Sequence, residues 1–215
     1  MRIFTLPGVF RPRSDSIMLA RALSAEELPA GARVLDVCTG SGVLAVTAAL
    51  AGADVTAIDA SRRATVTARL NARLNGVRVR ALRGDLLEPV AGERFDLIVS
   101  NPPYVPADDP APPARGAARA WDAGLDGRVV LDRLCRQAPD HLAPGGVLLL
   151  VHSSVCGVEP TLAALRAGGL DATVAERHRG PLGPLLRARA PQLEARGLLE
   201  PGQREEDVVI LRAAA

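Results

Sequence analysis

Lysine is absent from this 215-residue chain: all 26 basic residues are arginine. Arginine suits bidentate phosphate contacts, yet GC-rich coding explains the bias more simply. Aromatic residues make up only 2%, so the core has to be built from Val, Leu, Ala and Ile. The same scarcity leaves few rings on which unpaired bases could stack. A net charge of +2 and a pI near 8.7 give no strong field for nucleic acid, although they do not exclude it. Cysteines are few and scattered, at Cys38, Cys135 and Cys156, with no CxxC pair and no Cys/His cluster. A zinc site is therefore not expected, nor any other metal. An odd number of thiols without a basic-then-apolar leader points to a reducing cytoplasm. The longest apolar run, Val147–Val151, is far too short to cross a bilayer.

What is present is a regular alternation of strand and helix signals. A helix is expected over Asp15–Leu28, capped by Ser14 or Asp15. Strands follow at Val34–Val37, Asp54–Ile58, Val77–Leu82, Leu97–Ser100 and Val147–Val151. Helices come between and after them, at Val43–Ala51, Ser61–Asn75, Gly127–His141 (capped by Asp126) and Glu159–Ala167. Two final strands, Ala172–Glu176 and Val208–Arg212, flank a long insert. This pattern implies an α/β domain with a mostly parallel sheet covered by helices on both faces. One domain spans 1–215, with an extension and helix over 1–30 and an insert over 179–206. Leu185–Gly197 within the insert reads as a basic amphipathic helix, by default packed on the surface. The segment from Pro102 to Ala120 is long and irregular, either a substrate-gripping lid or a plain surface loop.

Ligands on such sheets bind at the carboxyl ends of the strands, where strand order reverses. The unusual residues all fall there. The first strand runs into Cys38-Thr39-Gly40-Ser41-Gly42, and its glycines let backbone approach a ligand closely. The usual dinucleotide pattern would place glycine where Cys38 stands. Asp59 ends the second strand and could accept two ribose hydroxyls, as in NAD sites. Asp85, followed by Leu86, ends the third, and its carboxylate or the adjoining backbone could recognise an adenine amine. Asp36, near the end of the first, could meet a cationic amino-acid tail. NAD has no ammonium or sulfonium group, whereas S-adenosylmethionine has both. Each acid alone could be a helix cap, but three at successive strand ends favour a ligand.

The fourth strand ends in Asn101-Pro102-Pro103-Tyr104. An amide nitrogen is a poor nucleophile because its lone pair is delocalised. Catalysis must hold the NH2 in line with the methyl group and offer acceptors to its hydrogens. The Asn101 side-chain oxygen and the Pro102 carbonyl can do so, and two prolines stiffen their placement. Tyr104, the only tyrosine, can pack against a flat amide or base.

With these residues the chain resembles the class I S-adenosylmethionine-dependent methyltransferases, and within them the HemK-type protein-glutamine N5-methyltransferases. The resemblance covers nearly the whole chain. It extends to Trp121-Asp122-Ala123-Gly124-Leu125-Asp126-Gly127-Arg128 and to Pro201-Gly202-Gln203-Arg204-Glu205-Glu206. The short N-terminus, with Phe10-Arg11-Pro12-Arg13-Ser14-Asp15-Ser16, is similar to the eukaryotic and archaeal branch. It implies a seven-stranded Rossmann-like sheet with an antiparallel C-terminal strand, and a Ser16 near the cofactor. It also implies a release factor, methylated at the glutamine of its Gly-Gly-Gln motif, as substrate. That branch often works with a small zinc-binding partner added to the edge of the third strand. Here that edge reads Val77-Arg78-Val79-Arg80, and edge arginines discourage pairing. Such a partner is therefore not expected to be obligatory.

Two other functions compete. The same tetrapeptide would serve a flipped-out adenine or guanine in a nucleic-acid methyltransferase. A cofactor-binding subunit without catalysis would share the fold. Salt dependence of binding separates the first from a protein methyltransferase; loss of activity on Asn101→Ala excludes the second.

Overall fold

The computed structural model describes all residues 1–215. Its strands are β1 (Arg33–Val37), β2 (Asp54–Asp59), β3 (Arg80–Arg83), β4 (Phe95–Ser100), β5 (Leu142–Ser153), β6 (Asp171–Pro181) and β7 (Glu205–Ala214). The helices are α1 (Ser14–Ala25), α2 (Val43–Leu50), α3 (Arg62–Leu74), α4 (Val129–His141), α5 (Val158–Ala167) and α6 (Pro184–Ala195). The strands form one seven-stranded sheet in the order β3-β2-β1-β4-β5-β7-β6. All pairings are parallel except those of β7, which runs antiparallel to both β5 and β6. This is the expected sheet.

Alternation within the strands feeds two cores. Leu35, Val37, Ile98, Leu148 and Leu150 pack with Leu131 and Leu134 of α4 and Leu162 and Leu165 of α5. Val34, Leu97, Val99, Val147 and Leu149 face the other way, onto Met18, Leu19 and Leu23 of α1 and Leu44, Ala45 and Ala48 of α2. Central strands buried on both faces need continuous apolar runs, which explains why these strands were legible without a period-two pattern. The irregular N-terminus is anchored by two asparagines of the α3 end. Asn71 accepts from Phe4 N and donates to its carbonyl, and Asn75 does the same for Arg2.

Several boundaries differ from the sequence reading. Neither Ser14 nor Asp15 caps α1; Arg13 holds the cap position without a side-chain bond, because Asp15 is used elsewhere. Asp126 bonds Arg128 N, and α4 starts only at Val129. β3 is confined to Arg80–Arg83, so Val77 and Val79 lie before it. The insert is shorter than 179–206. β6 runs on to Pro181 and β7 begins at Glu205, and their ribbon continues beyond the last β5 pair, Ser153–Val208. Residues 182–204 remain between them. In the 102–120 segment, the irregular stretch ends in a short 3-10 turn at Ala117–Ala120.

Candidate active site

β1 and β4 lie side by side at the point where strand order reverses, with Val37 opposite Ser100. The Ser100 hydroxyl donates to the Val37 carbonyl at 2.8 Å, which fixes the two strand ends. The glycine-rich turn and the tetrapeptide therefore start from one place.

After Val37 the chain passes through Cys38 at φ 61°. This left-handed region costs a side-chain-bearing residue about 1–2 kcal/mol. Gly42, at φ 80°, could carry no side chain, since a Cβ would lie 2.8 Å from Ala68 Cα in α3. Gly40 faces open space; a Cβ there would meet nothing nearer than Phe10 Cβ at 3.9 Å. Its N–H donates to Asp59 Oδ2 (2.9 Å), while Asp59 Oδ1 accepts from Ser61 N (2.8 Å). Burial raises the Asp59 carboxyl above the ordinary range, with these two N–H groups and nearby Arg119 opposing. Each oxygen keeps a lone pair for a hydroxyl.

Asp36 is fully buried. Its Oδ2 accepts from Thr39 Oγ1 (2.6 Å) and Ala45 N (3.0 Å), so the carboxylate seats the turn on α2. Oδ1 has no partner. Burial raises this carboxyl to about 7 against the Thr39 and Ala45 bonds. Burial first, then the charges of Asp59, Asp36 and Asp85, push the Cys38 thiol up. The turn thus gathers acidic groups, one of them buried with an orphaned carboxylate oxygen, and this charge suits a cationic ligand. Asp85 pairs with Arg133 of α4 (2.7 Å) and stays half-exposed, so of the two groups that could recognise an adenine amine, carboxylate or adjoining backbone, the backbone is the less engaged. Leu86, at φ 48°, turns its side chain into the core, leaving only its backbone to the pocket. The residues present fit the expected cofactor.

On the β4 side, Asn101 Nδ2 donates to Asp15 Oδ2 (3.0 Å) and Ser16 Oγ (3.1 Å). Both amide hydrogens are used, and a carboxylate can only accept, so Asn101 Oδ1 has to point away. No group of the chain donates to that oxygen or to the Pro102 carbonyl. Pro102 and Pro103 have no N–H. Asn101 Oδ1 and the Pro102 carbonyl are thus two free acceptors on a segment whose prolines donate nothing, which matches an NH2 group. Tyr104 OH also donates to Asp15 Oδ2 (3.0 Å). Burial, reinforced by Asp15, raises the phenol well above its usual range, so it stays protonated. A Cβ at Gly127 would collide with the Tyr104 carbonyl oxygen; that carbonyl also accepts from the Cys156 thiol at 2.8 Å.

The match to known proteins agrees with this geometry. Residues 1–112 match the family described as methyltransferase small domain. The chain belongs to this family. A candidate protein N5-glutamine methyltransferase of Methanocaldococcus jannaschii is 33% identical to this methyltransferase over 84% of the chain and 90% of the relative. A release factor glutamine methyltransferase of Bordetella pertussis is 42% identical over 76% of the chain, which spans only 63% of that relative. Among solved structures, the E. cuniculi Mtq2–Trm112 complex, responsible for methylation of the termination factor eRF1, superposes with a TM-score of 0.67. It is 25% identical and covers 96% of this chain and 98% of its own.

The sequence reading missed Asp15, taken only as a possible helix cap. The methyltransferase places it at the hub, accepting from Ser16, Asn101 and Tyr104 at once. Its signal lay in its neighbour, because Ser16 was expected at the cofactor and an acid beside it at a helix start is positioned alike. The insert helix packs as its sequence suggests: Leu186, Ala190 and Leu193 of α6 join Val105 in one apolar cluster, Arg189 pairs with Asp122, and Arg196, just past the helix end, pairs with Asp108. Arg128 reaches the Cys156 and Gly157 carbonyls and Thr161, so it fastens the turn into α5. No helix is long and apolar enough to cross a membrane, and the three cysteines are free.

Proposed function

We propose that the chain transfers a methyl group from S-adenosylmethionine to the side-chain nitrogen of a protein glutamine, in a release factor acting in the cytoplasm. The observation that carries this reading is the orientation of Asn101. Asp15 and Ser16 take both of its amide hydrogens, so its oxygen and the Pro102 carbonyl are left to accept the two hydrogens of an incoming NH2. Holding them keeps the amide planar group in place and draws electron density toward nitrogen. S-adenosylmethionine supplies an electrophilic methyl on a sulfonium. Ser16, Asp36, Cys38, Gly40, Gly42, Asp59, Asp85, Leu86 and Asn101 would surround it. Asp36 Oδ1 would receive the ammonium and Asp59 the ribose hydroxyls. Tyr104, neutral and tethered to Asp15, would pack on the flat amide, and the proton leaves to water after transfer.

The names of the archaeal and Bordetella relatives support glutamine over a base. A strand-adding activator is not required in this reading. Arg69 already donates to the Ala81 carbonyl of β3, and Arg80 pairs with Glu93 at 2.7 Å. The test incubates the purified chain alone with methyl-labelled S-adenosylmethionine and a Gly-Gly-Gln release factor. Label that protease releases, and that disappears when the motif glutamine is replaced, is the expected result. Label released by nuclease would move the acceptor to adenine or guanine amines and overturn the reading.

A further inference from the structure

Asp15, Ser16 and Cys156 hold the side chains of Asn101 and Tyr104 and the Tyr104 carbonyl. Pro102 and Pro103 contribute no backbone N–H, so the backbone path between is tied by ladder bonds only at Ser100 in β4 and at Val105 beyond Tyr104. Val105 forms an isolated bridge with Asp122: its N–H donates to the Trp121 carbonyl (2.7 Å), and its carbonyl accepts from Ala123 N (3.0 Å). Arg189 of α6 spans this bridge from outside. One guanidinium nitrogen donates to the Pro106 carbonyl (2.7 Å) and to the Asp122 carboxylate (2.6 Å). Two helical turns on, Arg196 repeats the arrangement on the Ala107 carbonyl and Asp108. Tyr104 and Trp121 pack against the same α6 cluster.

We infer that Arg189 is a positioning residue for methyl transfer. It clamps the two arms of the Val105–Asp122 bridge and so keeps Tyr104 and the Asn101 and Pro102 acceptors in register with the cofactor turn. The inference rests on the tetrapeptide being the transfer site. α6 is then the outer half of the catalytic frame, and the insert between β6 and β7 contributes to rate rather than only to surface.

Arg189→Met keeps the apolar stem and removes every donor; Asp122→Asn keeps an oxygen for Arg189. The readouts are kcat on the Gly-Gly-Gln substrate, S-adenosylhomocysteine affinity by calorimetry, and acrylamide quenching of Trp121, the only tryptophan. Arg189→Met should lower kcat on the order of 10- to 100-fold, as a small misplacement of a reacting group does. Product affinity should stay unchanged and Trp121 should become more quenchable, while Asp122→Asn retains most of the rate. An unchanged kcat overturns the inference. So does a parallel loss of kcat, product affinity and melting temperature, which would mark Arg189 as a general stabiliser. If the wild type fails to methylate the glutamine substrate, it is the glutamine reading that falls. Trp121 quenching needs no substrate, and a value unmoved by Arg189→Met would then overturn the clamp separately.

Discussion

Asp15→Asn changes no shape, yet it should disable the enzyme. In the native chain Asp15 Oδ1 accepts from Ser16 N (2.7 Å), and Oδ2 accepts from Asn101 Nδ2 and Tyr104 OH, both at 3.0 Å. Reversing the Asn101 amide would set its oxygen against a carboxylate oxygen and forfeit a charge-assisted bond worth about 1.5–3 kcal/mol. That difference keeps Asn101 Oδ1 outward by a factor on the order of 10 to 100. With Asn at position 15, one side becomes a donor. If the new NH2 faces Ser16 N, two donors meet in a buried place. If it faces Asn101, the Asn101 amide relaxes by turning its oxygen inward, and the substrate NH2 loses an acceptor. The second arrangement conflicts less, because the Asn101 amide can turn and a backbone N–H cannot. Expected, therefore, is a kcat lower by on the order of 10- to 100-fold, with S-adenosylmethionine affinity nearly intact, since Asp36 and Asp59 are untouched. Steady-state transfer of labelled methyl, paired with calorimetry of S-adenosylhomocysteine, reads both. A variant turning over within about twofold of the wild type would refute the argument that Asp15 sets the polarity of Asn101.

Two further perturbations test the cofactor side. Burial lifts Asp36 to about 7, above the roughly 3.9 of a free aspartate. The folded chain therefore holds a proton that the unfolded chain has released, and this contribution to stability fades as pH rises from about 4 through about 7. Asp36→Asn should remove that decline and raise the thermal midpoint at alkaline pH. In the wild type, S-adenosylmethionine should bind more weakly below about pH 7, because an ammonium needs the ionised carboxylate; affinity that is flat across neutrality would contradict this. Gly42→Ala should cost about 2 kcal/mol or more, combining a clash at 2.8 Å from Ala68 Cα with a left-handed backbone. Differential scanning calorimetry would expose the error if the midpoint did not move.

The parallel core was readable because strands buried on both faces have to be apolar throughout. Leu97–Val99 and Val147–Val151 could be nothing else in an alternating α/β chain. Edges were read less well. β3 needs only four residues, since it pairs on one side alone, so Val77 and Val79 mimicked strand without joining it. β6 and β7 were underestimated for the opposite reason. Their ribbon outruns the sheet, held by its own antiparallel ladder, and Arg177–Asp207 and Arg179–Glu205 form exposed cross-strand ion pairs on it. Charged residues in such a ribbon carry no hydrophobic period for a sequence reading to find.

The site divides in the same way. Gly40, Gly42, Asp59 and Asn101 were visible because a strand end followed by glycine, acid or Asn-Pro-Pro is a local pattern. Asp15 and Arg189 were not visible, because each acts across the fold: Asp15 lies 86 residues from Asn101 in sequence, and Arg189 lies 67 from Asp122. Pattern exposes the groups proposed to meet a ligand, whereas the groups that hold them in place are picked out only by distance in space. Asp36 marks the limit from the other direction. Its position was legible, but its state was not. A carboxylate that both seats α2 and keeps one oxygen unbonded is costly, and the proposed ammonium contact would offset that cost. S-adenosylmethionine binding should accordingly raise stability more at neutral pH and above, where Asp36 is ionised, than below it.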